Sequence, residues 1–116
     1  IDFLAFKNKK SLFAMTAHII YSKYDPINTA THSRIIINDI IRKKLKFKHL
    51  LISDDISMKA LKYGLKENVI RTLKAGCNLI LHCNGNINEM RVIANNVPKI
   101  DAFIIKKTSQ FYKFLI

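Results

Sequence analysis

The chain has 116 residues, a formal net charge of +12 and 49% hydrophobic residues, which fits one folded domain and argues against a disordered chain. Its two cysteines, Cys77 and Cys83, are too few for a disulfide framework and match no zinc spacing, so we expect a cytoplasmic protein. No apolar run approaches the roughly 20 residues that cross a membrane, so we expect no membrane partner. The sequence opens on Ile1 without a signal-peptide pattern, and we expect it to begin inside a longer gene product.

The positive charge is the feature that favours a nucleic-acid-binding protein. The 20 basic residues are 16 lysines and only 4 arginines, however, and recognition of bases and phosphates favours arginine. The lysines are spread along the chain without a stripe of interleaved aromatic residues. We therefore interpret them as solvated surface residues and expect no nucleic-acid partner.

Short apolar runs alternate with longer helical patterns, which predicts βα units and a parallel sheet. Residues 1–10 are predicted to form the end of a helix and a loop. Leu12–Ile20 is an almost continuous apolar run, typical of a strand buried on both faces. The segment 21–31 contains Asp25 and Pro26 and is predicted to be a loop.

A helix and a second strand are predicted next. Apolar residues recur at helical spacing from Ile37 to Leu45, and either Thr31 or Ser33 is the predicted cap of this helix. His49–Ser53 is a short apolar run and is predicted to be a buried strand that ends at the following aspartate.

The segment after this strand is predicted to hold two helices. Asp55 or Ser57 is expected to cap a short helix that Gly64 interrupts. Val69–Leu73 carries the apolar face of a further helix, and Gly76 occupies the position where a helix end favours a left-handed residue.

The last part of the chain is predicted to be a third βα unit and a tail. Residues 77–83 form the third apolar run, residues 84–86 a loop, and residues 87–97 a helix that Pro98 stops. The tail from Asp101 is either a terminal helix or a frayed end.

Polar residues follow all three predicted strands. Right-handed crossovers place the strands side by side, and catalytic side chains in such sheets gather beyond the carboxyl ends. The residues there are His18, Asp54 with Asp55, and His82–Asn84. Asp54 alone is either a helix cap or a site carboxylate, and a second acid beside it weakens the capping interpretation. Because adjacent strand residues face opposite ways, we assign Asp54 to chemistry and Asp55 to the following helix.

Three motifs lie in order on the three predicted strands. The first is Met15–Tyr21 (MTAHIIY), the second joins Ile40–Lys44 (IIRKK) to Leu50–Met58 (LLISDDISM), and the third is Ala75–Leu81 (AGCNLIL). These motifs resemble three sequences of glycoside hydrolase family 3. The first resembles the family's Met-Thr-Ala-His strand, and the second resembles its nucleophile signature, which includes a Ser-Asp-Asp-Leu-Ser-Met run. The third resembles the Ala-Gly-Cys-Asp sequence that begins a further strand of the family. The resemblance is to the bacterial β-N-acetylhexosaminidases in particular. The signature glycine before the nucleophile strand is His49 here.

The resemblance covers about residues 1–100. It implies an α/β fold, a partial TIM (β/α)8 barrel of about three parallel βα units, in which the single domain 1–116 is the C-terminal portion of the barrel. It implies that Asp54 is the nucleophile of a retaining β-N-acetylglucosaminidase. The family's His acid/base and its sugar-binding Lys-His pair and Arg lie earlier in the family's sequence, and no counterpart occurs here. His18 is either a substrate-binding residue of the sugar subsite or a packed strand-end histidine. We expect no metal and no cofactor.

The implied substrate is an N-acetylglucosaminide or a muropeptide-type sugar. A complete barrel needs about 250 residues, and a three-stranded parallel sheet leaves two edges unpaired. We therefore expect either a complementary N-terminal barrel chain as partner or low stability. The expected function is that of a glycoside hydrolase, truncated and weak or inactive alone. Two alternatives stay open: a non-catalytic degenerate remnant, and a basic protein that binds nucleic acid or other anions.

Overall fold

The computed structural model describes residues 6–7 and 10–115. Its sheet has three parallel strands in the order β1 (Phe13–Met15), β2 (Leu50–Asp55) and β3 (Leu79–Leu81). Ile52 in the central strand pairs with Met15 on one side and with Leu79 on the other. The predicted α/β class with three parallel strands, each followed by helical segments, is confirmed.

The helices follow the strands in turn. A 3₁₀ turn (Ala30–His32) and a π-helix (Ile35–Lys44) follow β1, α1 (Leu65–Ala75) follows β2, and α2 (Ile87–Asn96) and α3 (Ala102–Leu115) follow β3. The π-helix ends in a wide turn, in which the Leu45 N–H donates to the Ile40 carbonyl over 2.7 Å. None of the described helices is both long enough and apolar enough to cross a membrane.

The core lies between the sheet and the helices. Leu51 of β2 is fully buried and packs in one cluster with Ile37 of the π-helix and Ala75 of α1. Val69 of α1 is also fully buried, in a second cluster against which Ile80 of β3 packs. Burial of a side chain of this size contributes roughly 1.5–3 kcal/mol. These contacts fix which face of each strand points toward the helices.

Helix α3 lies near the amino ends of the strands. The ring of Phe111 meets the ring of Phe13 edge-on, with a centroid separation of 5.1 Å. Lys107 Nζ lies 3.1 Å from Nδ1 of His49, the residue before β2. The Asp101 carboxylate accepts an N–H from the first turn of the helix and caps it. The tail, for which the sequence left two interpretations, is therefore a helix.

The first strand is much shorter than predicted. Of the predicted run Leu12–Ile20, only Phe13–Met15 is a strand, and Ile19 and Ile20 are about half exposed. The chain leaves the sheet after β1, and the Ile19 carbonyl accepts the N–H of Ala30 in the 3₁₀ turn. The predictions for residues 1–10 fall mostly outside the described residues.

The short helix predicted after β2 is not formed. The carboxylate of Asp55 accepts both the N–H and the hydroxyl of Ser57, and this local turn competes with a helix. Gly64 does not interrupt a helix but precedes one, with an extended backbone (φ −64°, ψ 162°) before Leu65.

The face of the sheet away from the helices is incompletely covered. Met15 on this face is 56% exposed. Within residues 10–115, β1 and β3 each pair with a strand on one side only. The structure therefore has the two open edges that the sequence predicted.

Candidate active site

The carboxyl end of β2 is irregular. Ile52 pairs with Leu79, and the next pairing joins Asp55 to Leu81, so β2 contains one residue more than β3 over this interval. The hydroxyl of Ser53 accepts the N–H of Leu81 at 3.1 Å and takes the place of a backbone acceptor. A bulge of this kind re-aims the side chains beside it.

Asp54 lies within this bulge and is partly exposed. Its Oδ1 accepts the N–H of Asp55 at 2.8 Å, and Oδ2 accepts no hydrogen bond from the described residues. The bulge interrupts the alternation of side chains between Ile52 and Asp55, and Asp54 is one of the residues at this interruption. Among the described residues, one carboxylate oxygen of Asp54 therefore has no hydrogen-bond donor, at the end of the sheet where barrel enzymes carry their catalytic groups.

The Asp55 carboxylate is directed into the neighbouring loops. The Ser57 hydroxyl donates to its two oxygens, at 2.8 and 2.9 Å, and the Cys83 N–H donates to Oδ1 at 3.3 Å. Burial raises the pKa of Asp55, but the hydrogen bonds from Ser57 and Cys83 outweigh burial and bring the pKa below its ordinary value. Asp55 is thus an ionised residue that holds two loops together, and the helix predicted after it is replaced by a turn.

His18 follows β1 and is 9% exposed. Its Nε2 lies 2.8 Å from the carbonyl oxygen of Asp55, and its Nδ1 lies 2.7 Å from the hydroxyl of Thr31. A carbonyl oxygen only accepts, so Nε2 carries a hydrogen. Because both ring nitrogens are bonded within the protein, a sugar hydroxyl would have to displace one of these contacts. The geometry matches the packed strand-end histidine, the second interpretation of His18 from the sequence.

Thr31 is a site-supporting residue that the sequence did not single out for this role. It is fully buried, and its hydroxyl lies 2.7 Å from His18 Nδ1, 2.9 Å from the Thr16 hydroxyl and 3.1 Å from the Ala17 carbonyl. In the sequence, Thr31 stood out only as a candidate cap of the helix that follows it. Its true partners lie in the strand motif around His18, and no local pattern identifies such contacts.

His82 follows β3 but lies on the helix side of the sheet. Its Nε2 is 3.5 Å from Oε2 of Glu89 in α2, and the Asn84 amide donates to the same oxygen at 2.6 Å. Ile80, two residues earlier, packs in the core beneath the helices. His82 is therefore directed toward α2. In the part of the chain that the structure describes, no three His, Cys, Asp or Glu residues are grouped as metal ligands.

Comparison with known proteins gives a family match. The family model described as "Glycosyl hydrolase family 3 N terminal domain" matches residues 3–108. A β-hexosaminidase of Idiomarina loihiensis is 34% identical over 86 residues, a match that covers 72% of this chain and 26% of that protein. The chain thus spans about a quarter of the length of the curated relatives it matches.

Solved structures agree in fold. The β-N-acetylglucosaminidase from Thermotoga maritima superposes with a TM-score of 0.68 at 30% identity, covering 97% of this chain and 26% of that one. Zinc-bound CbsA from Thermotoga neapolitana gives a TM-score of 0.73 at 33% identity, covering 82% and 21%. The three parallel βα units are therefore part of a (β/α)8 barrel, and the chain belongs to glycosyl hydrolase family 3.

Proposed function

We propose that this chain is the nucleophile-bearing part of a retaining β-N-acetylhexosaminidase, with Asp54 as the nucleophile. The observation that carries the proposal is the partly exposed Asp54 carboxylate in the bulge at the carboxyl end of β2, with one oxygen that accepts no hydrogen bond from the described residues. The relatives are a β-hexosaminidase and a β-N-acetylglucosaminidase, so N-acetylglucosaminides or muropeptide-type sugars are the proposed substrates.

The reaction consists of two displacements at one carbon. The free oxygen of Asp54 attacks the anomeric carbon, the bond to the leaving oxygen breaks, and that oxygen takes a proton from a general acid. Water then attacks the same carbon, gives its proton to the group that served as acid, and releases the carboxylate. Two inversions retain the configuration. The N–H of Asp55 orients Oδ1 of Asp54 during these steps without protonating it.

The general acid and base is proposed to come from outside the described residues. Both nitrogens of His18 are bonded within the protein, and His82 faces α2. An acid/base typically contributes ~10²–10⁴ in rate, so we propose that the chain alone is weak or inactive. A complementary N-terminal barrel chain would cover the open face of the sheet and carry this group.

The cytoplasmic location expected from the sequence forms part of the same proposal. Cys77 and Cys83 are both free thiols, which supports a reducing compartment.

The test joins this chain to the strands that it lacks. The matching quarter of the Idiomarina loihiensis enzyme is replaced by this chain, and hydrolysis of an aryl β-N-acetylglucosaminide is measured. Asp54→Ala is expected to lower kcat/KM by about 10³-fold or more. The control is Asp39→Ala, which removes an exposed carboxylate of the π-helix and should leave the rate unchanged.

External azide gives a second readout on the Asp54→Ala chimera. Azide should occupy the space that the carboxylate leaves, restore part of the rate and yield a glycosyl azide of inverted configuration. A folded chimera that hydrolyses equally with and without the Asp54 carboxylate contradicts the assignment. A folded chimera that is inactive with Asp54 intact favours the degenerate remnant.

A further inference from the structure

Arg42 carries a half-buried positive charge at the amino end of the sheet. Its Nη1 donates to the carbonyl oxygens of Phe47 and His49, at 3.1 and 2.7 Å, and its Nη2 donates to Oδ1 of Asn78 at 2.8 Å. Burial lowers the pKa of Arg42, while the nearby Cys77 raises it. The guanidinium nonetheless stays protonated, because arginine is not deprotonated in proteins.

This charge has no carboxylate partner among residues 6–7 and 10–115. The ion pairs there involve Lys43, Arg71 and His82, and the acceptors of Arg42 are all neutral. Asn78 stands at the strand start where the motif that it resembles has an aspartate. A guanidinium that is partly desolvated without a counter-charge favours an anion beside it.

A cavity of about 430 Å³ opens beside the guanidinium. Its lining residues are Arg42, Phe47, Lys48, Gly76, Asn78 and Phe103. Arg42 has five N–H donors and uses three of them in the bonds described, so Nε and one hydrogen of Nη2 remain available.

Two lysines add positive charge near the cavity. Lys48 lines it, and Lys107 of α3 lies with its Nζ 5.7 Å from the ring of Phe103, a lining residue. Lys107 also contacts Nδ1 of His49, whose pKa is lowered by burial first and then by Lys107 and Arg42. Asp101 lines the adjacent cavity, and its carboxylate caps α3.

We propose that Arg42, with Lys48 and Lys107 beside it, binds an oxyanion of the phosphate or carboxylate type in this cavity. The site lies at the end of the sheet opposite Asp54, and it stands whether or not the chain is a hydrolase. Arginine suits such a ligand because its planar fork matches two oxygens at once. The anion supplies the negative charge that Asn78 does not.

The test is a titration of the full chain with inorganic phosphate at constant ionic strength, followed by calorimetry and by amide shifts in NMR spectra. Asn78→Asp places a carboxylate on Arg42 with almost no change in shape. We expect saturable binding to the wild type and about tenfold weaker binding to this variant. Asn95→Asp makes the same change of net charge at an exposed position of α2 and should bind as the wild type does.

Two further binding measurements complete the test. Lys48→Gln leaves Arg42 and its bonds untouched and should weaken phosphate binding by several-fold, so the result does not depend on the folding of the Asn78 variant. Acetate in place of phosphate shows whether a carboxylate is also accepted. Equal phosphate binding by the wild type, Asn78→Asp and Lys48→Gln means attraction to the overall charge and overturns the proposal, as does the lack of saturation.

Discussion

The imidazole Nε2 of His18 and the carbonyl oxygen of Asp55 lie 2.8 Å apart, which ties the segment after β1 to the residue that follows Asp54. The substitution His18→Phe removes the imidazole N–H, so the partly buried carbonyl of Asp55 loses its hydrogen bond. We expect His18→Phe to destabilise the protein by about 1–3 kcal/mol. His18→Gln keeps an N–H₂ donor near the position of Nε2 and should destabilise less, as urea unfolding of both variants will show.

The same pair of variants separates a positioning role of His18 from contact with the sugar. If His18 positions Asp54 through the Asp55 carbonyl, His18→Phe in the active chimera lowers kcat and leaves KM nearly unchanged, and His18→Gln restores much of kcat. A raised KM with an unchanged kcat would instead assign His18 to sugar binding.

The end of α1 requires a glycine at position 76. Gly76 has a φ of 124°, and a Cβ there would lie 2.9 Å from Cγ2 of Ile37. We expect Gly76→Ala to destabilise the protein by about 1–3 kcal/mol, because both the backbone and Ile37 must shift. Gly64→Ala is the matched control: its φ is −64° and no atom lies within 4 Å of the added carbon. Thermal unfolding should find that Gly64→Ala costs at most about 1 kcal/mol, because alanine is a weaker N-cap than glycine, and equal losses for both would contradict this account.

The loop after β1 is expected to be acid-sensitive because of Asp25. Burial alone raises the pKa of Asp25, but hydrogen bonds from the Ser33 side chain and from Asn28 and Ile27 outweigh it and lower the pKa to about 2. A lowered pKa stabilises the folded state above the unfolded value near 3.8, and this contribution is lost as the pH falls toward 2.

We therefore expect unfolding free energies from urea titrations to fall between about pH 4 and pH 2, by on the order of 2 kcal/mol from this group. Asp25→Asn should be less stable at pH 7 and should lose less on acidification. An unchanged acid transition in this variant would assign the sensitivity to other carboxylates, of which Asp55 is the first candidate.

The two thiols should differ in reactivity. Burial raises the pKa of Cys77 to about 11, although the Thr16 hydroxyl and Arg42 lower it, while Cys83 is exposed. We expect iodoacetamide at neutral pH to label Cys83 rapidly and Cys77 only after unfolding, since the thiolate is the reactive form. Mass spectrometry counts the labels, and Cys83→Ser should abolish the rapid one. Two rapid labels in the wild type would contradict the burial of Cys77.

The order of the three parallel strands could be predicted from the sequence because it follows from the three apolar runs and from right-handed crossovers. The bulge could not, because it depends on how Ser53 meets Leu81 in another strand. The predicted length of β1 was wrong for a related reason, because it also depends on contacts with a distant part of the chain. Ile19 is as apolar as a strand residue, yet its carbonyl bonds to Ala30 in a distant turn.

The role of Thr31 was beyond sequence analysis as well. Its hydroxyl meets His18 only because the loop after β1 folds back over the strand end. The prediction of a short helix after Asp55 was wrong for a local reason. A side chain that can cap a helix can also close a turn, and the hydrogen bond from Ser57 to Asp55 stabilises the turn.

Met15 on the uncovered face of the sheet is more than half exposed. Under the proposal that a complementary barrel chain covers this face, the water that now contacts Met15 would be expelled on assembly. In such a protein, completion of the barrel and formation of the active site would occur together. Measured activity would then be a direct measure of assembly.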